Sequence, residues 1–376
     1  MEFLEQAIAW LGGLGGLGYL GWRSPWSSRR PKQQRTCRIL QLPHELILNI
    51  SDSLSPASRV LLSQTCRPLQ GILCASAAHL SYEQYLEYLT GLAHDRCDQW
   101  VCEVCPALHR TDERDIPSCH WILPCPRYKS QWQEMAYGSS HRLDRRQHRI
   151  DHRHVQLALK CTRLRQYPLY REKLLEPYNQ TNWRGEYFPS DPLSTTQIHY
   201  RVLSKIVTRT EPRFLILSQW EYTKCDREFT LASESMGHLM ICPHLARPLR
   251  GRYHTDTELA ITIRKAFNHR PSEIKGACSR CRTGFSVEVS ADLETAKLCV
   301  WQDLGPEGSP MDASWNSQVH RHSIRQSRPC GIYCRTEHTT IYHEPYSVRQ
   351  LFYWDTEEER LARWRARQPP CRTDTS

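Results

Sequence analysis

The sequence predicts an α+β protein assembled in series: an N-terminal helical module, a cysteine-rich helical middle, and a C-terminal antiparallel β region with a Cys/His cluster. Three observations predict it. Between Leu42 and Leu73, apolar residues recur at three- and four-residue intervals in short runs broken by proline. Beyond "YFPSDP" the period becomes two, in "IHYRVLSKIVTR", "RFLILSQWEYTK" and "FSVEVSADLETAKLCVWQDLG", where Phe285, Val287 and Val289 alternate. Paired cysteines with a nearby histidine occur in both the middle and the β region. The expected parts are 1–36, an apolar Gly-rich tail and basic linker; 37–80, the helical module; 81–180, a Cys-rich and basic helical region; 181–355, a mainly antiparallel β domain; and 356–376, a charged tail.

In chain order, "AIAWLGGLGGLGYLGW" (7–22) is uncharged but short for a spanning helix, which needs about 20 residues. Its glycines weaken any helix, and Glu2 and Glu5 stand where a signal peptide would be basic. It reads as a flexible or peripheral tail, with membrane anchoring as the alternative. Pro43, with Glu45 in the first turn, suits a helix start, followed by Leu46, Ile47, Ile50 and Leu54. Ser55-Pro56 opens a second helix through Val60, Leu61 and Leu62, which "TCRPL" breaks before Ile72 and Leu73. Another helix is expected over Tyr82 to Leu92. "HRLDRRQHRIDHRHVQLALKCTRLRQYPLYREKLL" (141–175) reads as a basic helix, a break before Pro168 and a second helix. In the β region, "DTELAITIRKAF" (256–267) interrupts the strands as a helix, and "TEEERLARWRAR" is a charged C-terminal helix or tail.

The chain has 376 residues, 39% hydrophobic and 24% charged, so it can bury at least one full core. Its net charge of +10 suits RNA, anionic lipid or an acidic protein, and equally a protein with no such partner. No RRM or KH signature accompanies the charge, and the chain contains no P-loop, GxSxG or HExxH, so no catalytic residue is assigned and a non-enzyme is expected. The run "HRLDRRQHRIDHRH" reads as a solvated helix face with an apolar side that packs; a nucleic-acid-contacting helix over 141–165 is the rival reading. Asp303, at the end of a strand in "VWQDLG", reads as a turn-capping residue rather than a catalytic acid.

The 17 cysteines form an odd set without the look of a compact disulfide scaffold, which favours reduced thiols in cytoplasm or nucleus. In "WVCEVCPALH", Cys102, Cys105 and His109 have the spacing of a zinc half-site, and Cys97, Cys119, His120 or Cys125 are candidates for a fourth ligand. A thioredoxin-like redox pair would place CxxC at a helix start after a strand, a context missing here. Ordinary buried thiols are the rival. Cys242, His244, Cys278 and Cys281 together make a Cys3His set, the composition of a closed structural zinc site. No open triad with a positioned Glu or water points to catalytic zinc.

The segment "LPHELILNISDSL…LLSQTCRPL" resembles an F-box, through Leu42, Pro43, Glu45, Leu46, Ile50, Leu54, Leu61, Leu62, Thr65, Cys66 and Arg67 in order, with Leu69 or Ile72 closing the module. The resemblance implies docking on a Skp-type adaptor, and through it on a cullin, by Leu42, Pro43, Leu46, Ile50, Leu54, Leu61 and Leu62. The implied role is recognition of a protein substrate for ubiquitin transfer. Helix-in-groove recognition of this kind uses apolar side chains left over when a small bundle closes. The remainder is similar to a group of ascomycete fungal F-box proteins through "CEVCPALH", "HLMICPHL", "CSRCRTGFSVEV" and "VWQDLGPEGSPMDASW". That similarity extends the fold and partner expectation and names no substrate.

Overall fold

The computed structural model describes residues 38–103, 105–119, 125, 150–183, 196–225, 230–237, 239–247, 257–318 and 347–353. The apolar N-terminal tail, "YFPSDP", residues 141–149 of the basic run and "TEEERLARWRAR" lie outside the described residues. Among those described, no helix is long and apolar enough to cross a membrane.

The N-terminal helices begin where local chemistry puts them. Helix α1 (His44–Asp52) starts at Pro43, whose carbonyl accepts from the amides of Leu46 and Ile47. A proline costs nothing at a helix start, because the first amides have no partner there. Helix α2 (Pro56–Gln64) is capped by Ser55, whose hydroxyl accepts from the Ser58 amide at 3.2 Å. Helix α3 (Arg67–Leu73) ends at Cys74 in the left-handed region, φ 46°. Helix α4 (Tyr82–Leu92) opens with a capping box of Ser81 and Gln84. Ala57, Val60, Leu86, Tyr88 and Leu89 form the bundle's own core. Helices α2 and α4 approach closely at Gly91, where an added Cβ would lie 2.2 Å from Leu61 Cδ1.

The cysteine-rich stretch of the middle region contains strand structure. Strands β1 (Gln99–Cys102) and β2 (Ala107–Arg110) pair antiparallel as a hairpin, with Val101 opposite Leu108 and Trp100 opposite His109. Helices α5 (His152–Leu164) and α6 (Pro168–Leu174) follow, with the expected break before Pro168. The first of them packs on both β1 and the main sheet.

That sheet has six strands: β3 (Tyr178–Trp183), β4 (Thr196–Thr208), β5 (Pro212–Lys224), β8 (Glu273–Ala277), β9 (Thr283–Val289) and β10 (Thr295–Pro306). Their order is β3-β4-β5-β10-β9-β8, and every pair is antiparallel. The period of two read from the sequence sends Ile198, Tyr200, Val202, Phe214, Ile216, Leu298, Val300, Phe285 and Val287 into one core with α5 and α6. The sheet thus starts at Tyr178, and the helical middle shares its core. The opposite face packs Val207, Leu215, Leu217, Cys299 and Trp301 against Val348 and Phe352 of helix α9 (Ser347–Phe352). A small hairpin, β6 (Leu239–Cys242) and β7 (Leu245–Arg247), and helix α7 (Glu258–Asn268) complete the core side. Thr257 caps α7, accepting from the Ala260 amide at 3.3 Å, and Leu259, Thr262, Ile263 and Ala266 give it one buried face. The short helix α8 (Ala313–Asn316) lies against β10.

Candidate functional site

Three constellations stand out: two cysteine clusters and an apolar strip on the helical module. In the first cluster, β1 delivers Cys102 at its last position, the turn delivers Cys105, and β2 delivers His109 from the register position opposite Trp100. Cys125 supplies a fourth group. The four ligand atoms lie within 4.8 Å of one another. Cys105 Sγ is 2.8 Å from His109 Nε2 and 3.7 Å from Cys125 Sγ. A tetrahedral ion with sulfur ligands at about 2.3 Å needs sulfurs about 3.8 Å apart, so the sulfur spacing fits zinc. Of the four candidates for fourth ligand, the structure brings in Cys125. Cys102 and Cys125 are buried, whereas Cys105 and His109 are half-buried.

The second cluster joins two hairpin ends. Cys242 ends β6, His244 sits in its turn, Cys278 follows β8 and Cys281 precedes β9, and their ligand atoms also fall within 4.8 Å of one another. The Arg280 amide donates to Cys278 Sγ at 3.3 Å, an arrangement suited to a thiolate. Buried side chains brace the loop. Thr283 Oγ1 is 3.2 Å from Cys281 Sγ and donates to Gln318 Oε1 at 3.1 Å. Gln318 Nε2 donates to the Arg282 carbonyl, and Gln302 Nε2 donates to the carbonyl of Ile241, one residue before Cys242. Both hairpin ends are thereby tied to β10.

Crowding shifts these thiols. The Cys102 thiol is pushed up to about 12 by its hydrogen bond with Cys105 and by burial. In the second cluster, burial first, and then Cys278 and Cys281, drive Cys242 well up, while hydrogen bonds from Cys242 and Cys281 pull Cys278 down. One thiolate can live among its neighbours, but three need a cation to balance them. Both donor sets, Cys3His in composition, fit a soft-ligand divalent ion such as zinc, and they can hold a metal ion. Among the described residues, no Asp or Glu joins the four groups of either set.

The helical strip is the third feature. Ile47 and Ser51 turn into the bundle, which leaves the adjacent flank of α1 outward. Leu42 is 36% exposed, Leu46 47% and Ile50 41%, with Pro43 exposed beside them. Leu54, Leu61 and Leu62 are half-buried. Leu61 faces Gly91 of α4, which makes it an internal contact of the bundle. Leu48, on the other flank of α1, is 44% exposed and was not singled out from the sequence, although its place next to Ile47 in the 3.6-residue period carried that signal.

Residues 39–74 match the F-box domain. This helical module is an F-box. The match begins just before Leu42 and ends at Cys74, the C-cap of α3, so α4 is an addition packed onto it. No curated protein and no solved structure matches the chain. F-box proteins are in general adaptors rather than enzymes, and the domain suggests an adaptor of SCF-type ubiquitin ligases.

Beside the F-box, the basic run departs from the sequence reading. Its described part is no solvated face: His152, Arg153, His154, Gln156 and Lys160 are all buried. Arg153 binds both carboxylate oxygens of Asp115, at 2.6 and 2.8 Å, and also pairs with Asp151. Lys160 Nζ donates to the carbonyls of Arg96 and Gln99 at 3.2 and 3.0 Å. His154 Nδ1 accepts from the Asp151 amide, so its proton is on Nε2, 3.1 Å from Asp115. Burial, followed by Arg153, lowers His154 and keeps it neutral. The described cations of the run, Arg153 and Lys160, are thus already compensated inside the protein, while Arg145, Arg146 and Arg149 lie outside the described residues. Asp303 accepts from the Gly305 amide at 2.9 Å, the turn-capping contact, and is also paired with Arg213 and Arg282.

Proposed function

We propose that the chain is a substrate-recognition subunit of an SCF-type cullin-RING ligase, bound through its F-box to a Skp-type adaptor. One observation carries the proposal: the matched residues 39–74 include an outward apolar strip of Leu42, Pro43, Leu46 and Ile50. Four such side chains on a short helical segment are what a helix-in-groove partner buries. Leu54 and Leu62, both half-buried, are further candidates for the docking surface, whereas Leu61 packs inside the bundle against Gly91. The sheet domain is then the part that meets a protein target, and covalent steps belong to other subunits.

Zinc is the proposed cofactor, one ion in Cys102, Cys105, His109 and Cys125 and one in Cys242, His244, Cys278 and Cys281. Its role in both is structural. The motifs "CEVCPALH", "HLMICPHL" and "CSRCRTGFSVEV" support placement among ascomycete F-box proteins, and the many reduced thiols support residence in cytoplasm or nucleus. Pull-down of a purified Skp-type adaptor tests the central claim. Wild type is expected to capture it, and a Leu42→Ala, Leu46→Ala double variant to lose it; equal capture by both removes the assignment.

A further inference from the structure

The hairpin carrying the first cysteine cluster has two faces, and each belongs to a different core. Val101 and its register partner Leu108 pack with Ala57, Val60, Leu86 and Leu89, the core of the helical bundle. Trp100, Cys102 and Cys125 pack in the large core with α5 and the sheet. Strand alternation makes this so, since neighbours along β1 point to opposite sides. The first residue of α4 reaches the same loop: the Tyr82 hydroxyl donates to the carbonyl of Glu103, between the two cysteines. From the other side, Lys160 and Arg163 of α5 hold the chain leading into β1, through the carbonyls of Arg96, Gln99 and His94.

We propose that this centre is a metal-dependent joint, which fixes the orientation of the F-box bundle relative to the sheet domain. The inference rests on the zinc reading of Cys102, Cys105, His109 and Cys125 given above. Strands of four residues have too few ladder bonds to hold a hairpin unaided, and an ion tying both strands to Cys125 supplies what they lack. Its ligands Cys105 and His109 are half-buried, so a chelator can reach the ion. In the second centre Cys242, Cys278 and Cys281 are all buried and His244 alone is half-buried, against two half-buried groups in the first. The joint therefore empties before the sheet's own centre does, and a target on the sheet is then presented without a fixed geometry.

The test uses the full chain, loaded with zinc and titrated with EDTA. Native mass spectrometry counts zinc, hydrogen exchange is read peptide by peptide, and small-angle scattering records the maximum dimension. Loss of the first zinc is expected to speed exchange over 93–110 on the order of tenfold. Strands β5, β9 and β10 should stay protected, the maximum dimension should rise, and added zinc should reverse both changes. A chain that loses this zinc with unchanged exchange and dimension overturns the joint while the zinc reading stands. A Cys105→Ser variant with the zinc count of wild type overturns both, and the count alone separates the two failures. Should Cys105→Ser also strip protection from the sheet, or EDTA remove both ions together, the centre is a general structural site and the joint is overturned.

Discussion

Leu46 and Ile50 on the first helix of the F-box stand 47% and 41% exposed, whereas Leu215 and Leu217 on the central strand β5 stand at 0% and 2%. The residue types are alike; what differs is the supply of neighbours. The sheet has α5, α6 and α7 on one face and α9 on the other, so both sides of β5 and β10 are covered. The bundle has four short helices, and closing them uses Ile47, Ala57, Val60 and Leu69 while Leu46 and Ile50 on one flank of α1 and Leu48 on the other are left over. One region is complete in itself, and the other keeps an apolar flank that the proposed adaptor would complete. The two cysteine centres follow the same division: the second lies within the sheet domain with three of its four groups buried, and the first lies where the two regions meet.

The strongest way to break the comparison is to remove the proposed zinc from the complete region. Structural zinc contributes on the order of 10 kcal/mol, comparable to the whole stability of a domain. Cys278→Ser should therefore leave the sheet unfolded by circular dichroism and hydrogen exchange, and its zinc count should fall. The F-box uses none of these ligands and should still capture its adaptor. Elemental analysis of wild type purified without chelator should give near two zinc per chain, one for each cluster. A folded Cys278→Ser sheet would show that packing alone completes this region.

Next in size is the buried charge network. Asp115→Ala would leave Arg153 buried without its main partner, at a cost of about 3–5 kcal/mol in urea unfolding. Acid should act the same way. Burial works to raise the Asp115 carboxyl, but hydrogen bonds from Arg153 and His154 outweigh it, and the group is held below the ordinary carboxylate range. A depressed carboxylate stabilises the fold above its unfolded value, about 3.9, and that contribution is lost as pH falls through the lower folded value. Asp115→Ala should lose this part of the acid dependence. Arg153→Ala should destabilise the chain, while binding of wild type to generic duplex stays at about 10⁻⁴ M or weaker near physiological salt. Submicromolar duplex binding abolished by Arg153→Ala would contradict the buried role.

These networks mark the boundary of what the sequence makes legible. Helix starts at Pro43 and Ser55-Pro56 are local chemistry, and the structure has them where the residues say. The sheet strands declare themselves by alternation, and the Cys242, His244, Cys278, Cys281 set by composition, since one candidate exists for each position. The rest depends on distance in sequence. Asp115 neutralises Arg153 from 38 residues away, so the described end of a run that reads as solvated, residues 150–154, is buried. Cys125 stands level with Cys97, Cys119 and His120 in the sequence, and among the described residues it is the chain path that brings Cys125 to the cluster. The hairpin at 99–110 is only four residues long on each side, too short for a period of two to register.

The smallest effect on stability should come from the incomplete region, where it separates the two functions of an apolar residue. Leu46→Ala removes a side chain already half in water, so unfolding should change by no more than about 0.5 kcal/mol. Its adaptor affinity should fall by about 1–3 kcal/mol, as for a central anchor. Leu61→Ala should behave in the opposite sense. It lies against Gly91 at the contact of α2 and α4, and its loss opens the bundle interior. A cost of about 1–2 kcal/mol in stability is expected from a half-buried leucine, with adaptor affinity reduced only as far as α1 is disturbed. Calorimetric titration with the adaptor and urea unfolding of the same two variants give four numbers. If Leu46→Ala costs stability and leaves affinity alone, the exposed flank of α1 belongs to the protein's own fold, and the partner docks elsewhere.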